Sequence, residues 1–292
     1  MIEKENFYLL LATFFWALGL IVGKFCSAEM PPMTLTCIRY LLAGVGIGIV
    51  HLKKEKEFKI EKNDLFYIFL LSFFGIVLNG VLFFKGISLT SSVNTSIISS
   101  TAPAIVCIIG VLFLKEKINI KNIFSILFSI LGILLLLTNG EISSLLKIEF
   151  NKGDLIILGA VISNGLYIIG AKKVLKKYSS TKILTYLFLF TSLILLPSVY
   201  FERNLYLISN VSFKAIISLI YMGIFSSLFA FLLQQQGIKK IGPVKASVYT
   251  NLIPIYSIIL SSIILKERIS FIQIISMILV ILAIMISIEK KV

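Results

Sequence analysis

The chain has 292 residues, 58% of them hydrophobic and only 14% charged, whereas soluble domains carry about 25% charged residues. So much apolar surface has no place inside a water-soluble core, and a soluble globular fold is excluded. The formal charge of +14 lies almost wholly between the apolar runs; that placement suits loops at an anionic lipid surface and not a nucleic-acid groove, so no nucleic-acid partner is expected.

Ten apolar runs are spaced along the chain, at about 7–25, 33–52, 65–84, 91–113, 120–138, 154–171, 182–201, 213–235, 244–265 and 270–288. Each is about as long as a bilayer-crossing helix. Their unbroken apolar character predicts helices; barrel strands would alternate and be about half as long. The first run is too long for the apolar region of a cleaved signal and reads as a first span. Pro31-Pro32 marks the turn after it. Segments 51–64 and 172–181 are hydrophilic loops. The longest connection, 139–153, divides the chain into a unit at 1–140 and a unit at 141–292.

Those units share a stretch. Gly86 to Lys117 (GISLTSSVNTSIISSTAPAIVCIIGVLFLKEK) and Gly237 to Arg268 (GIKKIGPVKASVYTNLIPIYSIILSSIILKER) align without a gap at an offset of 151. Gly86 falls on Gly237, Val93 on Val244, Ser96 on Ser247, Pro103 on Pro254, and Lys115-Glu116 on Lys266-Glu267. More weakly, Ala12 to Lys24 aligns with Ala160 to Lys172 at an offset of 148, placing Trp16 on Asn164. A repeat of this kind implies gene duplication. Five spans per unit is an odd number, so the two copies must enter the membrane in opposite directions, giving an inverted repeat. With the N-terminus inside, cytoplasmic segments carry nineteen Lys and Arg and outer segments eight. This favours cytoplasmic N- and C-termini.

Pro103 and Pro254 sit near the middle of spans four and nine. Each removes a helical hydrogen bond to the carbonyl four residues earlier, at Ser99 and Thr250, and bends its helix. One reading is a pair of bends that open a polar cavity at mid-membrane; the other is a kink that serves packing alone. Ser96, Ser99, Ser100, Pro103 and Cys107 share one helical face, and Ser247, Thr250, Asn251, Pro254 and Ser261 follow a similar one. Such stripes line a cavity or let helices pack closely. Asn251 is large and needs partners, which favours a cavity. Trp16, Asn79, Asn164, Tyr167 and Tyr249 are further polar or aromatic candidates for its wall. Gln234 to Gln236 end span eight and can equally be interfacial. Arg39 is the one charge well inside a span, and it either contacts a solute or gate or anchors structure by reaching the interface.

No Asp or Glu lies mid-span to relay protons. There is no phosphate loop, no HExxH and no GxSxG. The three cysteines show no metal or disulfide spacing, and His51 is the only histidine. No enzyme activity, metal or cofactor is expected. A GxxxG within 43–48 leaves a homodimer open.

The pattern resembles the EamA-type branch of the drug/metabolite transporter superfamily. The resemblance covers nearly the whole chain. It rests on the ten short spans in two repeats, on Ala12 to Lys24 with Trp16 and a terminal Lys, and on Pro32 with Arg39-Tyr40-Leu41-Leu42-Ala43. It rests too on Gly86…Pro103…Lys115-Glu116 with its second copy. It implies an all-helical polytopic membrane protein of ten transmembrane helices in two inverted five-helix repeats. By the same resemblance the protein is a secondary transporter in the plasma membrane, exporting amino acids or other small solutes by alternating access without ATP. Trp16, Asn79, Ser99, Asn164, Tyr167, Tyr249 and Asn251 then lie near the solute path, with Thr250 beside them. Asn164 departs from the pattern, since Trp is frequent there. A membrane sensor or receptor, or an intramembrane enzyme, is the alternative. Inverted repeats without a signalling domain argue against the first, and the missing chemistry against the second.

Overall fold

The computed structural model describes residues 4–55, 57–90, 92–115, 119–138, 140–141, 151–202, 211–265 and 269–288. These form ten helical rods and no strand. They are α1 (Lys4–Ser27), α2 (Pro32–Lys54), α3 (Lys62–Ile87), α4 (Ser92–Ser100 and Ala102–Leu114) and α5 (Ile120–Leu137). After them come α6 (Lys152–Leu175), α7 (Ser180–Phe201), α8 (Phe213–Ile241), α9 (Pro243–Val248, Tyr249–Asn251 and Leu252–Leu265) and α10 (Phe271–Ile288). Eight of them, α1 to α8, are long and apolar enough to cross a bilayer. The Lys-Glu pairs lie outside the described residues except for Lys115, which ends α4 in the left-handed conformation at φ 51°.

The helix ends arise from local chemistry. Asn151 accepts from the amides of Gly153 and Asp154 while the Asp154 carboxylate accepts from the Asn151 amide, a reciprocal cap that starts α6. Ser179 and Ser212 begin α7 and α8 in the same manner through one hydroxyl each. Pro32 stands at the start of α2, where its missing N–H costs nothing. The next amides, of Met33 and Thr34, donate to the Glu202 carboxylate beyond the end of α7, both at 2.8 Å. Gly242 takes φ +87° between α8 and α9, a conformation that only glycine adopts freely.

Two rods carry a wider helical turn inside them: Phe73–Leu78 in α3 and Met222–Phe229 in α8 are π-helical. Such turns leave carbonyls imperfectly paired and favour functional sites. Here a neighbouring rod meets each of them. Trp16 Nε1 of α1 donates to the Ser226 carbonyl at 2.8 Å, and Ser163 Oγ of α6 donates to the Phe74 carbonyl.

The second and the fifth rods of the two units pack against each other. On α2 and α7, Cys37 meets Ser192, Gly44 meets Leu189 and Gly48 meets Thr185, so the pair is antiparallel and the GxxxG face is occupied within the chain. On α5 and α10, Ser125 Oγ donates to the Ala283 carbonyl at 2.7 Å, and a Cβ on Gly132 would lie 3.0 Å from the Ser276 carbonyl oxygen. Contact order is again reversed. α1 lies against α8 and α9, as α6 lies against α3 and α4. Gly237 abuts Leu9 where Gly86 abuts Ile157. The outer surface is apolar: Leu112, Phe113, Leu193, Ile263 and Met285 are all more than half exposed. A soluble monomer does not carry such a surface; lipid covers it.

Candidate functional site

The helix breaks are where the prolines direct them. α4 stops at Ser100, turns at Thr101, and resumes at Ala102 with Pro103 in its first turn. α9 tightens into a single 3-10 turn over Tyr249–Asn251 before Leu252, two residues ahead of Pro254. The breaks meet: Asn251 Nδ2 donates to the Ser100 carbonyl at 3.3 Å and to Ser129 Oγ of α5 at 2.6 Å. Proline sterics pointed to the carbonyls of Ser99 and Thr250, four residues before each proline. The carbonyl that receives a side-chain donor is that of Ser100, beside the break.

A cavity of about 510 Å³ opens beside this crossing, within the usual range for a small-molecule site. Trp16, Asn79, Ser99, Asn164, Thr250, Asn251 and Pro254 line it. Asn79 is held by its Nδ2, which donates to the Ala160 carbonyl at 2.7 Å, so its oxygen remains available. Phe83 and Phe231 add aromatic walls, and Phe231 stands edge-on to Trp16 with ring centroids 5.6 Å apart.

Tyr167, Tyr249, Pro103 and Arg39 lie off the lining. Tyr167 and Tyr249 are 1% and 0% exposed. The Tyr167 hydroxyl accepts from Gln235 Nε2 at 3.4 Å, and the Tyr249 hydroxyl donates to Asn6 Oδ1 at 2.9 Å. Both rings belong to the packed core beside the cavity. Pro103 is buried and does not reach the cavity lining. Arg39 Nε donates to Ser227 Oγ of α8 at 2.6 Å, and its guanidinium lies 5.3 Å from the centre of the Tyr40 ring. This position clamps α2 to the π-helical turn of α8.

Phe83, Phe231 and Gln234 are wall residues that the sequence pattern does not single out as such. Gln234 reads as interfacial from its place at the end of span eight, yet it is 5% exposed and its Oε1 meets no hydrogen-bond donor. One signal is present in the sequence. Extending the repeat register three residues back from Gly86 and Gly237 pairs Phe83 with Gln234, and both line the cavity. Among the described residues no group of His, Cys, Asp and Glu could hold a metal ion.

An all-helical polytopic membrane protein with a small-molecule cavity among its central helices is the class these features define. The chain belongs to the EamA-like transporter family, whose model matches it twice, over residues 4–138 and 151–288, and it is a membrane transporter. It is 28% identical over 274 residues to the uncharacterized transporter YetK of Bacillus subtilis, covering 94% of this chain and 83% of that one. It is also 28% identical over 284 residues to the uncharacterized transporter YyaM of the same organism, covering 96% and 92%. A crystal structure superimposes with a TM-score of 0.80 over 99% of this chain and 97% of the other; at 14% identity that likeness concerns the fold.

Proposed function

We propose that the protein is a secondary transporter that exports or facilitates passage of small uncharged or zwitterionic metabolites, amino acids among them, across the plasma membrane. Ten membrane helices form two inverted repeats, 1–140 and 141–292, with both termini cytoplasmic. The solute sits at mid-membrane among Trp16, Asn79, Ser99, Asn164, Thr250 and Asn251, and the repeats rock about it while the broken helices α4 and α9 repack.

One observation carries this reading. Repeat-related pairs line the cavity together: Trp16 with Asn164, Phe83 with Gln234, Ser99 with Thr250, Ser100 with Asn251, and Ala102 with Ile253. Elsewhere the pairing fails. Leu20, Thr95 and Ser96 line the cavity, whereas their counterparts Ile168, Ala246 and Ser247 are 1%, 2% and 1% exposed in packed core. Related positions are open in one unit and closed in the other. Exchanging those two packings would move the opening to the opposite face, which is what alternating access requires. The antiparallel packing of α2 on α7 and of α5 on α10 adds support for the inversion.

The test is flux into proteoliposomes across a panel of metabolites, with Asn164→Ala and Asn251→Ala beside the wild type. Transport of a panel solute that both variants impair is the expected result. Normal rates and affinities in both variants would remove these residues from the path.

A further inference from the structure

The donors that are fixed on the cavity wall are spent on the protein itself. Trp16 Nε1 donates to the Ser226 carbonyl, Ser100 Oγ to the Ile97 carbonyl and Thr250 Oγ1 to the Ser247 carbonyl. Asn79 Nδ2 donates to the Ala160 carbonyl, and Asn251 Nδ2 to the Ser100 carbonyl and Ser129 Oγ. These bonds set both amide orientations, because an amide oxygen turned to a backbone carbonyl would be repelled. Both asparagines line the cavity, and among the described residues neither Oδ1 meets a donor. Neither oxygen is shut in: the buried side-chain atoms without a partner are Oε1 of Gln234 and of Gln235. The Ser99 hydroxyl and the Asn164 carboxamide are uncommitted among the described residues and can serve either role.

The backbone adds acceptors at the same place. The segment Ser92–Ser100 ends at the cavity, and so does the stretch from Pro243 to Asn251. The carboxyl end of a helix carries partial negative charge, and half-helix ends of this kind suit cations. The amides that stand at the breaks are engaged: that of Thr101 donates to the Ile98 carbonyl, and that of Leu252 to the carbonyls of Tyr249 and Thr250. Pro103 has no N–H to give the Ser99 carbonyl. Trp16, Phe83 and Phe231 line the cavity, and aromatic rings attract a cation over their faces. Among the described residues no lining residue is Asp, Glu, Lys, Arg or His. A cation therefore meets no repelling charge, and the oxygens stand in for its water, as carbonyls do in a cation filter. A carboxylate meets neither a counter-charge nor a fixed donor and bears its desolvation in full.

We infer that the cavity recognises its solute through a protonated amine, held by Oδ1 of Asn79 and Oδ1 of Asn251 beside the two helix ends, and that a carboxylate on the solute is dispensable. The inference rests on the cavity being the solute site and narrows the proposed solutes to those that bear an amine. An alkylamine is charged at neutral pH, as a lysine side chain is. Its N–H groups match the acceptors that the protein leaves unmet. A solute without the amine leaves those oxygens without a donor, whereas a solute without the carboxylate gives up no fixed contact.

Trp16 is the only tryptophan of the chain and lies on the cavity wall, so its fluorescence reports occupancy without any need for transport. Four probes of one carbon skeleton separate the possibilities. They are free leucine (the zwitterion), 3-methylbutylamine (leucine without its carboxylate), 4-methylpentanoate (leucine without its amine) and 3-methylbutan-1-ol (the uncharged counterpart of the amine). In purified protein, 3-methylbutylamine should shift the emission saturably, with an affinity within tenfold of that of leucine. The carboxylate and the alcohol should bind at least tenfold more weakly than the amine. Asn79→Leu should weaken the amine at least tenfold while leaving thermal unfolding cooperative. No saturable amine signal, equal binding of the alcohol or the carboxylate, or leucine binding more than tenfold tighter than the amine would overturn the inference on the wild type alone. Unchanged amine affinity in a folded Asn79→Leu protein would also overturn it. Amine binding without flux of the amine or of leucine in proteoliposomes would instead count against the transport reading and leave the recognition standing.

Discussion

Asn251 donates through Nδ2 to the backbone oxygen of Ser100 across a sequence separation of 151 residues, the offset of the repeat itself. Equivalent positions of the aligned stretches therefore touch. Both residues are buried, at 4% and 4% exposure, and the same amide also meets Ser129. Asn251→Ala leaves a carbonyl and a hydroxyl without a donor. The expected cost is about 1–3 kcal/mol per orphaned group. Ser129→Ala removes one acceptor and orphans less, so its cost should be smaller. Thermal unfolding in detergent measures both. An Asn251→Ala protein that unfolds with the wild type would show the contact to be energetically idle.

The two glycines that open the repeated stretch should respond alike to an added side chain. A Cβ on Gly86 would lie 2.5 Å from Ile157 Cδ1 and 3.2 Å from the Ile157 backbone nitrogen; on Gly237 it would lie 2.6 Å from Leu9 Cδ2, and its three nearest atoms all belong to that side chain. Overpacking of this kind costs about 1–3 kcal/mol. Gly86→Ala should be the worse of the two, because backbone cannot move aside as a leucine tip can. Leu9→Ala makes room for Gly237→Ala, so that double variant should show a favourable coupling in a thermal double-mutant cycle. Ile157→Ala should rescue Gly86→Ala less completely. Equal and full rescue at both sites would contradict the backbone contact.

Much of this arrangement is legible in the amino-acid sequence. The spans are legible because a bilayer demands long apolar runs, and runs of that length have few alternative structures. The breaks in α4 and α9 are legible because proline cannot donate. Depth is not. Helical periodicity puts Tyr167 near the face of Asn164, and Tyr249 precedes Thr250, but it does not say where a cavity ends and packing begins; both tyrosines fall in the packing. The π-helical turns of α3 and α8 are also hidden, since Phe73–Leu78 and Met222–Phe229 contain nothing that marks a wider turn. Each such turn shifts the helical register of the residues after it, so helical periodicity alone does not bring Phe231 and Gln234 to the wall. Arg39 has two readings in the sequence, and its bond to Ser227 gives it a structural partner at that same turn.

Acid should loosen one end of the bundle. Glu29, in the turn between α1 and α2, accepts from the Ser212 amide and from the Ser212 hydroxyl, both at 2.7 Å. These bonds favour the carboxylate and hold the Glu29 acid constant below its ordinary value. A group whose folded value is depressed stabilises the fold above its unfolded value, and that contribution disappears as pH falls through the folded one. Stability should therefore decline slightly below about pH 4.5, the ordinary glutamate value. Exposure to solvent keeps the effect small. Glu29→Gln should be less stable than the wild type at neutral pH and should lose this part of the acid response. Parallel melting curves of the two proteins from about pH 7 down to about pH 3 would contradict it.

Tyr249 and Asn6 tie α9 to α1 in the packed core where Leu9 also fills the space against Gly237. Tyr249→Phe keeps the ring and removes the donor, leaving Asn6 Oδ1 unmet in a site where Asn6 is 2% exposed. A loss of about 1–3 kcal/mol in that contact corresponds to a shift of several-fold to a hundredfold in favour of opening there. The three native cysteines are buried and can be replaced by alanine, so single introduced cysteines report on access to a maleimide. Ala246→Cys, in the packed core, should label faster in the Tyr249→Phe background. Ser96→Cys, on the cavity wall next to Thr95, the repeat counterpart of Ala246, should label more slowly in the same background, because the two ends cannot open together if the units rock. Faster labelling at Ala246→Cys with no change at Ser96→Cys would mean local fraying and would remove the coupling on which alternating access depends.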